Sequence, residues 1–230
     1  TAVAKVLKDF AAEMEGAEDF TAAAAVWIKK TIKEHERILF NGNGYSADWE
    51  AEAEKRGLLN MKTTVDALPS MLSEKNIALM SEMNVLSPVE MQSRYEVELE
   101  HYSKVINIEA LTTLGMARRQ LIPAALEFLS SVSETAAAKK AVSEALSTKT
   151  EEKILASVTK DVDDMNEAAD KLDDLMNKVD SVTGTYEAEY YCKQVVPAMS
   201  EVRAAADHCE IIIGKDYWPL PSYSEMLFYV

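Results

Sequence analysis

Between Tyr95 and Leu121 apolar side chains return every three or four residues without a break: Tyr95, Leu99, Tyr102, Ile106, Ala110, Leu114, Ala117 and Leu121. That period lines one face of an α-helix and no face of a strand. A stripe this long can be kept from water only by other helices laid along it. Ser87-Pro88-Val89-Glu90 starts the helix with a capping box and a proline at the first helical position. Val97, Val105, Ile108 and Leu111 add a second apolar face, so the helix is expected to be central and buried, and Pro123 is expected to kink or end it.

The rest of the chain repeats the helical period. Ala2, Val3, Val6, Leu7 and Phe10 predict a first helix ending near Gly16. A second is expected over about 21–39, with Val26, Ile28, Ile32 and Leu39 inside. Two successive Asn-Gly pairs, Asn41-Gly42-Asn43-Gly44, are the strongest turn signal, and Ser46 caps a short helix that carries Trp49 and stops at Gly57. Short helices follow over 64–84, interrupted near Pro69 and recapped at Ser73. Ala136 to Leu146 reads as a helix, and Thr148-Lys149-Thr150-Glu151 as a further capping box. Val158, Val162, Met165, Ala169, Leu172, Met176 and Val179 then alternate four and three apart, the narrow seam of a helical hairpin. Turn residues at 181–184 lead to a last long helix carrying Tyr191, Val195, Met199, Val202, Ala206, Cys209 and Ile213, kinked at Pro197 and ended by Gly214. The fold class is all-α: a helical bundle with a long antiparallel helical hairpin and an irregular aromatic C-terminal tail. Parts are expected at 1–123, 124–214 and 215–230, joined in one compact unit.

Composition narrows the function. With 24 Lys+Arg against 39 Asp+Glu the formal charge is −15, which disfavours phosphate backbones and anionic membrane surfaces alike. No apolar run reaches the ~20 residues of a membrane span, and no signal-peptide pattern opens the chain. A cytoplasmic protein that binds neither nucleic acid nor membrane is expected. Cys192 and Cys209 fall on one predicted helix too far apart for a disulfide, so both are read as free thiols. The segment 151–180 holds ten Asp+Glu and four Lys, net −6, the solvated face of a packed helix. Thr1 is not an initiator methionine, and helical spacing begins at once. A piece of a longer protein is expected, with a processed or tagged terminus as the other reading.

No self-contained active site emerges. Glu98-Leu99-Glu100-His101 contains Glu-x-x-His, but a di-iron bundle needs two such motifs and two further Glu. His35 and His208 lack a second nitrogen ligand at zinc-site spacing. Cys192 and Cys209 have no positioned base, because their neighbours Lys193 and His208 point to other sides of the helix. Phosphate-binding, dinucleotide and nucleophile-elbow motifs are missing. The Asn41 to Gly44 loop could offer backbone N–H groups to an anion, but a plain turn is the stronger reading.

Longer words carry a resemblance. Ile38-Leu39-Phe40-Asn41-Gly42-Asn43-Gly44-Tyr45-Ser46, Glu52-Ala53-Glu54-Lys55-Arg56-Gly57-Leu58, Thr64-Val65-Asp66-Ala67-Leu68-Pro69 and Ser73-Glu74-Lys75-Asn76-Ile77-Ala78-Leu79 are similar to the C-terminal part of bacterial type III glutamine synthetase. So are Arg94-Tyr95-Glu96-Val97-Glu98-Leu99-Glu100-His101-Tyr102-Ser103-Lys104-Val105-Ile106-Asn107-Ile108-Glu109-Ala110-Leu111 and the ending Tyr217-Trp218-Pro219-Leu220-Pro221-Ser222-Tyr223. Leu220 and Ser222 depart conservatively from a bulkier aromatic and Thr.

The resemblance implies a glutamate-ammonia ligase of nitrogen metabolism that uses ATP and Mg or Mn ions in the full enzyme. Its metal and phosphate ligands lie on a catalytic sheet that this sequence does not contain, so no catalytic, metal or cofactor-binding residue is assigned here and the chain alone is expected to be inactive. The implied partners are its own catalytic domain and identical subunits in a ring-forming homo-oligomer. Asn41, Gly42, Asn43, Gly44 and Tyr45 are placed near the active-site mouth. Tyr217, Trp218, Pro219 and Tyr223 are placed in tail docking or a subunit contact. The rival reading is a stand-alone acidic helical scaffold that binds a partner protein.

Overall fold

A computed structural model describes residues 1–179 and 185–228. The chain is all-α, and among the described residues no strand occurs. It divides into two compact units, Thr1–Glu98 and Leu99–Val230.

The first unit is built from short pieces with local caps. Helix α1 (Ala2–Met14) ends at Gly16 and α2 (Phe20–Glu34) starts at Asp19, whose carboxylate accepts the Ala22 N–H at 3.0 Å. Phe10 sits edge-on to both Phe20 and Trp27 at this corner. α2 is shorter than the spacing predicts, giving way to a 3₁₀ turn at Glu36–Ile38. Helix α3 (Ala47–Lys55) ends in a Schellman motif, in which Leu58 N–H reaches the Ala53 carbonyl and Gly57 takes φ +71°. Helix α4 (Thr64–Ala67), a 3₁₀ turn over Leu68–Leu72 and α5 (Glu74–Glu82) follow, the break falling at Pro69 as expected. Asn84 ends α5 at φ +52°.

One expectation about this unit is overturned. Val26, Ile28, Ile32 and Leu39 were expected inside, yet all four are more than half exposed, and neither α1 nor α2 buries a single residue. Periodicity identifies side chains that share a face; it does not supply the surface that covers them.

Helix α6 (Pro88–Met116) begins at the Ser87 capping box, with the Ser87 N–H donating to Glu90 at 2.7 Å. It does not end at Pro123. A π-turn over Ala117–Leu121, closed by Ile122 N–H to the Ala117 carbonyl, runs straight into α7 (Ile122–Val142). The same solution recurs between α9 (Thr185–Tyr190) and α10 (Val196–Ile212), where a π-turn over Tyr191–Val195 precedes Pro197. A proline cannot donate to the carbonyl four back and collides with it. One extra residue in the preceding turn moves that carbonyl aside, so the helix continues.

In the second unit α8 (Lys149–Met176) packs against both α7 and α10. Its buried stripe is Val158, Val162, Met165, Ala169 and Leu172, the predicted seam. Opposite lie Ala110, Leu114, Ala117, Leu121 and Ala125 on one side and Val195, Ala198, Val202, Ala205 and Cys209 on the other, all in one core cluster. Arg118, in the first π-turn, donates to Asp170 and Asp173 of α8 at 2.7 Å each, and Lys171 reaches Glu201 of α10 at 2.7 Å.

Two details differ from the sequence reading. Val97, Ile108 and Leu111 stand mostly exposed, so α6 buries one face and not two. The Thr148 box does not form: Thr148 makes no side-chain cap, its hydroxyl donating instead to Glu152 while Glu151 pairs with Lys139 across the α7–α8 corner. The turn expected at 181–184 lies outside the described residues.

Leu172 is fully buried in the three-helix seam. Replacing it with Ala should lower the unfolding free energy by about 2–5 kcal/mol in a urea titration, as for other buried leucines.

Candidate functional site

The loop that carries the two Asn-Gly pairs is mounted on an aromatic and ionic base. Phe40 stacks on Trp49 of α3 with ring centroids 4.2 Å apart and planes 25° from parallel. The Arg56 guanidinium lies over the Trp49 ring, 5.6 Å from its centre. Its Nε donates to Glu52 at 2.6 Å, and its Nη1 donates to the Leu39 carbonyl at 2.8 Å and the Arg37 carbonyl at 3.3 Å. Those carbonyls belong to the end of the 3₁₀ turn, where the helix itself offers no donor. Arg56 in turn holds the Glu52 carboxyl below its usual range, chiefly through their hydrogen bond.

Beyond Phe40 the chain turns tightly. A Cβ on Gly42 would come within 2.4 Å of the Phe40 ring, so any side chain there would push that ring off its place on Trp49. Asn43 closes an Asx-turn by accepting the Tyr45 N–H at 3.0 Å, and its carbonyl accepts the Ser46 hydroxyl at 2.8 Å. Ser46 then caps α3 through the Trp49 N–H. Asn41, Gly42, Asn43, Gly44 and Tyr45 are all exposed, with Tyr45 at 102%. A rigid base thus presents a tip that touches little of its own chain. The sequence pointed to the turn and missed Arg56, although Glu52 four residues ahead of it was a legible pairing signal.

The other candidates do not converge. Glu98 and His101 are exposed on α6, and Glu100 pairs with Lys104. His35 caps α2 through its backbone N–H. His208 stands 3.6 Å from the Asp161 carboxylate, and Cys209 is buried beside them. Among the described residues no three His, Cys, Asp or Glu side chains gather as a metal centre requires. ATP and a pair of divalent ions need clustered carboxylates and phosphate-facing cations, so the described residues do not by themselves fit those groups. No described helix is long and apolar enough to cross a membrane.

In the tail Trp218 is 7% exposed within the core cluster, and Tyr217 meets Phe128 edge-on at 5.5 Å. Pro219 is exposed. Tyr223 opens α11 (Tyr223–Leu227) and is 76% exposed, so within this chain it is not docked. α11 is fixed by a capping box in which Glu225 accepts the Ser222 N–H at 2.8 Å and by Lys215, which donates to Glu225 at 2.6 Å.

Comparison with known proteins draws these parts together. The family described as the glutamine synthetase C-terminal domain matches residues 23–140, which include the loop, its mount and α6. The chain belongs to that family. A glutamine synthetase of Butyrivibrio fibrisolvens is 37% identical over 202 residues, covering 87% of this chain and 29% of its own length. A type-3 glutamine synthetase of Dictyostelium discoideum is 37% identical over 209 residues, and a glutamine synthetase of Bacteroides fragilis 29% identical over 212, each over 87% of this chain and 28% of its own length. The chain therefore spans less than a third of the glutamine synthetases it matches.

Two groups in this chain give direct tests. Burial first, and the Asp161 carboxylate second, push the Cys209 thiol up to about 11. An alkylating reagent at pH 8 should label half-buried Cys192 and leave Cys209 unmodified until the chain is denatured; equal labelling of the native protein would contradict the packing of α10. Lys215 foremost, then the Ser222 N–H and hydroxyl, hold Glu225 down at about 2, below the usual 4.5. A depressed carboxylate supports the fold fully above its unfolded value and loses that support as pH falls toward its folded one. Order in α11, followed by NMR, should decline between about pH 4.5 and 2, and Lys215→Met should move the midpoint upward.

Proposed function

We propose that this chain is the helical C-terminal region of a bacterial-type glutamine synthetase, the ligase that joins glutamate and ammonia at the expense of ATP. In this reading it packs on the catalytic domain of its own polypeptide and shapes contacts between identical subunits of a ring in the cytoplasm. Mg or Mn ions and ATP are held by the catalytic part, and this region alone does not turn over.

The observation that carries the reading is the bare apolar surface of α1 and α2. Val3, Leu7, Val26, Ile28 and Ile32 each leave about half or more of their surface in water, and no residue of either helix is buried. Apolar surface of this kind on a folded unit marks an interface. Membership of the family and the span of under a third of the matched enzymes support a catalytic domain as its cover. The Asn41–Tyr45 loop is taken to lie at the active-site mouth, supported by its rigid mount and exposed tip. Tyr217 and Trp218 belong to the docked part of the tail, and Tyr223 with exposed Met226, Leu227 and Phe228 to a subunit contact. The 124–214 hairpin and the 215–230 tail act as one brace for that contact.

The test compares the full polypeptide with residues 1–230 alone, each given glutamate, ATP, Mg²⁺ and ammonia. The full polypeptide should form glutamine and the chain alone none; sustained turnover by the chain would overturn the reading. Binding of an unrelated protein to the 124–214 hairpin, with no effect of its deletion on enzyme assembly, would favour the scaffold instead.

A further inference from the structure

We infer that Arg56 is a positioning residue: it fixes the shape of the Asn41–Tyr45 loop through which the full enzyme engages its substrates, without touching them itself. This rests on the placement of that loop at the active-site mouth proposed above.

The argument is geometric. Four contacts converge on one guanidinium, two from the end of the 3₁₀ turn and two from α3, the two sides of the loop's support. Two carbonyls fix where the chain leaves the 3₁₀ turn, at Arg37 and Leu39. The Trp49 ring lies beside the guanidinium and stacks on Phe40, the next residue of the entering strand of loop. Glu52 anchors the guanidinium to α3 one turn ahead of it. From Phe40 the constraint passes to Gly42, whose backbone rests against the ring, and from there to the Asx-turn at Asn43 that sets Tyr45. The loop is therefore held at its entry by Arg56 and at its exit by the Ser46 cap, with the Asn43 Asx-turn between them.

A lysine cannot replace this arrangement. Its ammonium is a point charge without the planar fork, so it can follow Glu52 or the carbonyls but cannot serve both while staying over the Trp49 ring. The position also asks for a permanent charge, because the Leu39 and Arg37 carbonyls form the negative end of a helical turn.

Loop freedom should appear in kinetics before it appears in stability. Arg56 is about three-quarters buried as a side chain, but its contacts are local to 37–56. In the full polypeptide, Arg56→Met should speed hydrogen exchange at the Tyr45 and Ser46 amides and lower kcat/KM by about 10–100-fold, the scale of a misplaced positioning element. Arg56→Lys should recover only part of that loss. Tyr45→Ala, and excision of Asn43 and Gly44, should also lower kcat/KM while leaving the Trp49 environment unchanged.

The outcomes separate the two claims. If Tyr45→Ala and the shortened loop both keep wild-type kcat/KM, the loop is not at the mouth and the positioning role falls with it. If they are impaired but Arg56→Met is not, the loop belongs to the site and Arg56 does not position it. If Arg56→Met only lowers the melting temperature, or Arg56→Lys restores full activity, Arg56 is a structural cation and the inference is wrong. Should Arg56→Met fail to fold, Arg56→Lys carries the same comparison through its exchange rates and kcat/KM.

Discussion

The second unit depends on α8 finding a helix on each of two sides. Its stripe of Val158, Val162, Met165, Ala169 and Leu172 faces alanines at 110, 117 and 125 on one neighbour and at 198, 205 and 206 on the other. Alanine contributes little apolar area of its own, but it lets helix axes approach closely enough for the larger side chains to fill the space between. The cross-links from Arg118 to Asp170 and Asp173, and from Lys171 to Glu201, lie at the rim of this contact and are exposed, so they set register more than they add stability. The two π-turns follow from the same requirement. Both prolines interrupt helices that must stay continuous to keep their buried faces on α8, and each is absorbed by one wide turn just before it.

The first unit is organised differently. Its helices are short, Asp19, Ser46 and Thr63 cap three of them at their starts, and the large apolar residues of α1 and α2 face outward. Such a unit keeps its local shape through capping and the Phe10–Trp27 and Phe40–Trp49 contacts while leaving a helical face for another surface.

Much of this was legible in the sequence, for reasons that differ by element. The α8 seam and the Ser87 box were readable because each is local: one is a period, the other four consecutive residues. The burial assigned to Val26, Ile28, Ile32 and to the second face of α6 was not, because an apolar face reveals the need for a cover and not its presence. Thr148 lost its box to a longer-range competitor, the Lys139–Glu151 pair across the corner. Pro123 was read as a kink or an end because a π-turn is a backbone adjustment that leaves no side-chain signature. At the loop, the Asn-Gly pairs announced the turn, but Arg56 was overlooked because its acceptors are main-chain carbonyls 17 and 19 positions earlier, which no pattern of side chains records.

The claim that ties these observations together is that α1 and α2 form a docking face completed by another part of the enzyme. Hydrogen exchange read by mass spectrometry, on residues 1–230 alone and on the full polypeptide, addresses it most directly. The account predicts fast exchange across 2–34 in the chain alone, strong protection of the same segment in the full polypeptide, and equal protection of α8 in both. Equally fast exchange across 2–34 in the full polypeptide would show that nothing covers these helices, and the docking account would be wrong.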